Sequence, residues 1–303
     1  MNWKTIYKTD IKVSPLSLGT MTFGTPVSEA DAIYVTHWAL DNGINILDTA
    51  NMYEGYTRYL GSAGGVAEKI LGKALKGRRE SAVVATKVGM KIGPTDGDMG
   101  LSRAHVLREI DRSLERLECD YVDLYYMHKP DPATPMEESI RAFNEIIDAG
   151  KARQWAISNF SAEQIVSLLK ICDDNGLRRP VALQPAYSLL KRDIEAEILP
   201  LCEREQISIM PYQVLQGGLL TDKYKRGETA PQGSRQLEKP EWTMALTPEL
   251  FDKLEQIQAD ARQQGRSLLQ HALKSLLEKP AVVSLVIGVK NVPQLETLLA
   301  AVQ

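Results

Sequence analysis

The chain has 303 residues, 44% of them hydrophobic and 25% charged, with a net charge of −3. That is ordinary globular composition; a chain this long buries a large core without disulfides or metals, and its slight acidity excludes a general attraction to nucleic acid or to membrane surfaces. The three cysteines, Cys119, Cys172 and Cys202, are far apart and form no CxxC pair, which argues against a disulfide frame or a structural zinc and fits a reducing cytoplasm.

The opening stretch has no apolar core of signal-peptide length, and no apolar run approaches the ~18 residues that span a bilayer. Trp3–Val13 reads as a hairpin ahead of the main fold. Eight short apolar runs follow: Leu16–Leu18, Ile44–Leu47, Ala82–Ala85, Val122–Tyr126, Ala152–Ile157, Val181–Leu183, Ile207–Met210 and Leu285–Ile287. They lack the alternation of a half-wet strand and read as strands buried on both faces.

Amphipathic segments lie between them. Ser28–Asn42 opens on a capping Ser with Asp31 three residues on and stops before Gly43. Ser102–Leu117 opens on Ser102 and sets Val106, Leu107, Ile110, Leu114 and Leu117 on one stripe. Pro135–Ala149 has Pro at its start and Gly150 after its end, and Ser161–Asn175 and Arg192–Glu205 follow the same logic. A strand followed by a helix, eight times, predicts one closed (β/α)8 TIM barrel over residues 1–303, with an open doubly wound sheet as the alternative. Two insertions, Val88–Leu101 and Gln213–Thr247, follow barrel strands. Both therefore belong to the C-terminal face, where such barrels carry their chemistry.

Polar residues stand at the ends of these strands. Asp48, Lys87, His128, Ser158–Asn159, Gln184 and Tyr212 end the second to seventh, and Tyr53 lies five residues past Asp48. Singly, each has an ordinary explanation: a turn cap, a solvated lysine, a structural histidine, a loop aromatic. Jointly they point to chemistry at one mouth. A tyrosine titrates near pH ~10, too high for efficient proton exchange at neutral pH. A neighbouring ammonium lowers that value. Lys87 can supply the charge, Asp48 can hold Lys87, and His128 can donate a hydrogen bond to a substrate oxygen. This set suits protonation of a carbonyl oxygen while hydride reaches its carbon. No His/Cys cluster with metal-ligand spacing is present.

These motifs resemble the aldo-keto reductases over essentially the whole chain. "LGTMTFG" at Leu18–Gly24, "GINILDTANMY" followed by "GGVAEKILGKAL", "VVATK", "YVDLYYMHKPDPATPMEES" and "GKARQWAISNFS" carry the likeness. The resemblance implies a catalytic tetrad of Asp48, Tyr53, Lys87 and His128, and hydride transfer from a nicotinamide bound in extended form. Thr20 and Met21 should border the nicotinamide and its ribose; Asp48 should lie close by. Ser158, Asn159 and Gln184 should hold the carboxamide, and Tyr212 should stack on the ring. "YQVLQGGLLTDKY" resembles the family's pyrophosphate loop, implicating Leu215, Gly217 and Gly218. Lys223 and Arg235 match basic positions near the phosphates. "VIGVKNVPQLETLL" resembles the adenosine-phosphate clamp, with Gly288 and Lys290 at a 2′-phosphate, Gln294 over the adenine and a helix starting at Pro293. Thr297–Leu298 departs from the Glu-Asn common there, but the cation at Lys290 favours NADPH over NADH.

The substrate pocket is expected to be walled by Met21, Phe23, Met52, Tyr56 and Met127, with the loop around Trp242. Arg58 and Tyr59 fall in an unusual insertion, "EGYTRYLGSAGG", that could reach the mouth, where Arg58 could bind an anionic substrate; a solvated surface role for Arg58 is the simpler reading. The function expected is reduction of an aldehyde or ketone, with a small-molecule carbonyl as partner and neither nucleic acid nor membrane. The alternative is an NADPH-binding regulatory module like the potassium-channel β subunits. In those the histidine position is altered, whereas His128 is present here. A metal-dependent hydrolase on the same barrel lacks strand-end ligand clusters.

Overall fold

The computed structural model describes residues 2–303. A two-stranded antiparallel hairpin, β1 (Lys4–Thr5) and β2 (Lys12–Val13), comes first. Eight parallel strands follow: β3 (Leu16–Gly19), β4 (Ile46–Asp48), β5 (Val83–Val88), β6 (Val122–Met127), β7 (Ala152–Ser158), β8 (Ala182–Gln184), β9 (Ser208–Ile209) and β10 (Leu285–Gly288). Neighbours run β10-β3-β4-β5-β6-β7-β8-β9. The ends of that row meet: Ile209 bridges Val282, and Val286 N donates to Pro211 O at 2.9 Å. The sheet closes into a barrel, which excludes the open doubly wound alternative. The hairpin plugs its N-terminal end, with Ile6, Ile11 and Val13 packed into the barrel-interior cluster.

The helices are α1 (Glu29–Asp41), α2 (Val66–Leu75), α3 (Arg103–Leu117), α4 (Met136–Asp148), α5 (Ala162–Asp174), α6 (Ile198–Glu205), α7 (Arg235–Glu238), α8 (Pro248–Gln263), α9 (Leu268–Leu277) and α10 (Val292–Val302). Side-chain caps fix several starts. Ser28 Oγ accepts Asp31 N, and Ser161 and Gln164 complete a capping box. Arg192–Glu205 is shorter than expected: a 3₁₀ turn at Asp193–Glu195 precedes α6. Strand limits differ from the apolar runs mainly where polar residues continue a strand. Asp48 belongs to β4, and β5 runs on through Lys87 to Val88. Among the described residues no helix is long and apolar enough to cross a membrane.

Strand period decides which side chains reach the barrel interior. Ile46 on β4, Val83 and Ala85 on β5, Leu124 and Tyr126 on β6, Ala156 on β7 and Ala182 on β8 form the interior cluster. Their neighbours Leu47, Val84, Tyr125, Ile157 and Leu183 face the helices. Two residues further along each interior row stand Asp48, Lys87, His128, Ser158 and Gln184. Alternation alone carries these five side chains up the inside of the barrel to its C-terminal mouth.

Candidate active site

Lys87 sits fully buried behind the mouth. Its Nζ donates to Asp48 Oδ1 at 2.5 Å and to Thr49 O at 2.9 Å. The other carboxylate oxygen of Asp48 accepts Gln184 Nε2 at 2.7 Å. Both oxygens are thereby committed, and the carboxylate cannot swing toward a ligand without breaking a buried bond. Tyr53, half-buried, places its ring centroid 5.1 Å from Lys87 Nζ and 5.9 Å from the His128 ring, edge to face. The four residues expected to act together are brought together.

Their electrostatics correct one expectation. Burial raises the Tyr53 phenol above its usual value, and Asp48 adds to that, while the charge and hydrogen bonding of Lys87 pull the other way without reversing it. Desolvation wins because the ammonium is itself neutralised by Asp48. Tyr53 is therefore a protonated phenol across neutral pH. Lys87 goes up despite burial, held charged by the Asp48 carboxylate. His128 lies well below the usual imidazole value because it is buried near the cations Lys87, Arg58 and Lys129. It is a neutral ring, and its Nδ1 is buried with no partner.

Beside this cluster Ser158 Oγ donates to Gln184 O at 2.7 Å, and Tyr212 OH donates to Asn159 Oδ1 at 2.8 Å. Asn159 in turn donates to His128 O and Ser158 Oγ, and holds a left-handed backbone at φ 64°. Tyr53, His128, Ser158, Asn159, Gln184 and Tyr212 all wall one cavity of about 750 Å³. Thr20 and Met21 line the same stretch; Thr20 is fixed by hydrogen bonds from its N and Oγ1 to Asp48 O.

The cavity runs on as a trough between the loop after β9 and the start of α10. Leu215, Gly217 and Gly218 form part of its floor, the two glycines at φ 66° and 97°. Glycine is favoured at both positions because the backbone lies in the left-handed region, where a Cβ is strained. Lys223, Arg235, Gly288, Lys290 and Gln294 complete the far end. Lys290 Nζ is bonded to Glu238 and to Gly233 O, and Gln294 Oε1 accepts Lys290 N at 2.9 Å. Lys223 is pushed down by burial and by its neighbours Lys290 and Arg235. Three cations crowded around one carboxylate is an unfavourable arrangement unless an anion joins them. This end fits a multiply phosphorylated ligand.

Three expectations about the substrate wall need correction. Phe23 is fully buried in the core between barrel and helices. Met127 is 1% exposed in that same core, because it occupies the outward-facing parity of β6. Tyr56 lines the cavity, but at its cationic end: its ring centroid lies 5.8 Å from Arg235 Cζ and 5.9 Å from Lys290 Nζ. Met52 does line the mouth. Met90 and Lys129 line it too and were not anticipated; each follows a predicted strand by a few residues, so strand-end position was the available signal. Arg58 is neither solvated nor a pocket residue. It donates to Met52 O, Lys91 O and Ser62 Oγ, stapling its insertion to the loop after β5. Tyr59 is 70% exposed. Thr297 and Leu298 border the trough, but the Thr297 hydroxyl is turned back onto Pro293 O.

Comparison with known proteins identifies the family and the fold. The sequence profile of the Aldo/keto reductase family matches residues 15–303, and the chain belongs to that family. It is 34% identical over 309 residues to a protein of Arabidopsis thaliana named probable voltage-gated potassium channel subunit beta, covering 100% of this chain and 91% of that one. It is 31% identical over 305 residues to aldo-keto reductase YhdN of Bacillus subtilis, covering 98% and 88%. The holo form of aldo-keto reductase AKR11C1 from Bacillus halodurans superposes with a TM-score of 0.80 at 27% identity, covering 100% of this chain and 91% of that one. The family and fold support an oxidoreductase.

Proposed function

We propose that this protein reduces an aldehyde or ketone to an alcohol with NADPH, with Tyr53 as general acid. The observation that carries this is the placement of Tyr53 at the wall of the cavity, its ring centroid 5.1 Å from the Nζ of Lys87 in the buried Lys87–Asp48 pair. The trough fits the cofactor: Lys223, Arg235 and Lys290 suit its phosphates, Gly217 and Gly218 give a close backbone approach, and Ser158, Asn159, Gln184 and Tyr212 suit the nicotinamide end. Bound there, NADPH supplies a hydride to the carbonyl carbon.

The chain's own residues handle the oxygen. Tyr53 gives its proton to the carbonyl oxygen and is left as phenolate; the adjacent Lys87 ammonium stabilises that charge as it develops. His128, neutral, can donate one N–H to the same oxygen and orient it. Asp48 holds Lys87 in place and charged. Solvent returns the proton to Tyr53 after the alcohol leaves. The cations at the far end favour NADPH over NADH, because a 2′-phosphate adds charge where Lys290 stands.

A second reading has its own support in the full-length likeness to proteins named as channel β subunits: a cofactor-binding module with little turnover. Steady-state NADPH oxidation with a panel of aldehydes separates the two. We expect turnover that Tyr53→Phe lowers by about 10²–10⁴-fold, the usual range for a general acid, with NADPH binding retained. Tight NADPH binding with no consumption for any aldehyde would favour the module.

A further inference from the structure

We propose that Lys129 selects the substrate, and that the carbonyl compounds taken at this mouth carry a carboxylate a short chain away from the carbonyl. The proposal rests on the reading of the mouth as a carbonyl-reduction site and names the substrate class within it. Charge on the cavity wall is uneven. Among the described residues four cations line it, Lys129, Lys223, Arg235 and Lys290, against one carboxylate, Asp48. Asp48 is already committed to Lys87 and Gln184. Lys223 and Arg235 stand in the loop after β9, and Lys290 follows β10 by two residues, so these three share one end of the trough. Lys129 follows β6 by two residues. In the closed ring of eight strands β6 lies four steps from β10 in either direction, directly across the barrel. A cofactor whose phosphates occupy the first three cations therefore leaves Lys129 to whatever fills the other side of the mouth.

The surroundings of Lys129 keep its charge available. It is half-buried and lines the cavity beside His128. Among the described residues it forms no ion pair, whereas Lys91 in the loop after β5 reaches Asp96 at 3.7 Å. Asp131, two residues on, shares its field. That carboxylate is engaged elsewhere: it accepts Leu101 N at 2.7 Å, Thr134 Oγ1 at 2.7 Å and Ala133 N at 3.0 Å. His128 stands among three positive charges, those of Lys87, Arg58 and Lys129. Lys87 is matched by Asp48, and Arg58 donates to Met52 O and Lys91 O within the field of Glu54. Lys129 is left to face a ligand. The wall around it is apolar, with Met52 after β4 and Met90 after β5, and such side chains adapt to the shape of a bound chain. A substrate that gives its carbonyl oxygen to Tyr53 and His128 can lie along these two methionines and end on Lys129, where a carboxylate gains a charge-assisted hydrogen bond.

The test is selectivity between an acid and its methyl ester, which differ in charge and little in shape. The probes are 4-carboxybenzaldehyde against methyl 4-formylbenzoate, and 4-oxobutanoate against its methyl ester, each followed by NADPH oxidation in steady state. We expect the parent to favour both acids in kcat/KM by about tenfold, the scale of one hydrogen bond to a charged group. Lys129→Met should cut that acid-to-ester ratio about tenfold, through KM of the acid rather than kcat. Lys129→Arg should keep the ratio within about threefold, because the cation remains, and Lys129→Glu should invert it. Added salt should lower the parent's ratio, since the charge is only half-buried. A purely structural role for Lys129 would lower acid and ester alike and leave the ratio unmoved. A parent that takes the esters as well as the acids, or an unmoved ratio in Lys129→Met, would overturn the assignment. No NADPH oxidation with any of these probes or with any aldehyde of the panel would instead overturn the reductase reading itself, and the assignment with it.

Discussion

Lys87 and Asp48 form an ion pair at 2.5 Å in which neither side chain is more than 3% exposed. Removing one partner strands a charge in the barrel, at a typical cost of about 3–5 kcal/mol. We expect Asp48→Asn and Lys87→Met each to lose stability of that order in urea unfolding. The double variant should lose clearly less than the sum, because it strands nothing. The folded pKa of Lys87 is raised above 10.5, so its stabilising contribution is fully present below that pH. It is lost only as pH rises through the folded value, and the double-variant comparison at pH 7 is free of that titration.

The phenol of Tyr53 is raised above 10.0. Reduction needs the protonated form, which persists at every pH below the folded value. In the free protein, kcat/KM for carbonyl reduction should therefore show no falling limb assigned to Tyr53 up to pH 10. A limb centred near pH 8, present in the parent and absent once the proton donor is bypassed with an activated substrate, would contradict the assignment. In the oxidation direction, where phenolate is the active form, the rate should climb through the same range.

Much of this was legible in the sequence because strands obey a period of two. The row Ala85–Lys87 and the row Tyr126–His128 could be read as one inward face, and the strand-end polar residues do converge. That same rule, applied strictly to β6, would have turned Met127 outward. What could not be read is distance across loops. Nothing in "EGYTRYLGSAGG" reveals that Tyr56 crosses to the cations of another loop, or that Arg58 spends its guanidinium on backbone carbonyls. The net direction of the Tyr53 shift was also hidden, since it depends on how completely Asp48 neutralises Lys87 and how deeply both are buried.

His128 sits well below its ordinary value of 6.5. Below pH 6.5 the unfolded chain takes up a proton at this ring and the folded chain does not. Stability must then fall as pH drops, by up to about 1.4 kcal/mol per pH unit. His128→Gln removes that term. Urea unfolding at pH 7, 6 and 5 should show a shallower acid-side decline for the variant than for the parent. His105, also lowered by burial, keeps its own share in both proteins, so the difference between the two slopes isolates His128. Parallel slopes would mean that His128 opens to water and protonates in the folded state.

Lys290 is shared between Glu238 and the backbone of Gly233. A 2′-phosphate on Lys290 must compete with the Glu238 carboxylate, which predicts opposite effects at the two positions. Lys290→Met should weaken NADPH about 10–100-fold, or about 1.4–2.7 kcal/mol, and NADH by less than about threefold, because only NADPH places charge there. Glu238→Gln removes the competitor and should tighten NADPH by a few-fold at low salt, an advantage that fades as salt screens the exposed charges. Fluorescence titration with both cofactors at two ionic strengths reads all of this. Equal losses for NADPH and NADH in Lys290→Met would place the 2′-phosphate elsewhere in the trough, with Lys223 and Arg235 as the remaining cations to hold it.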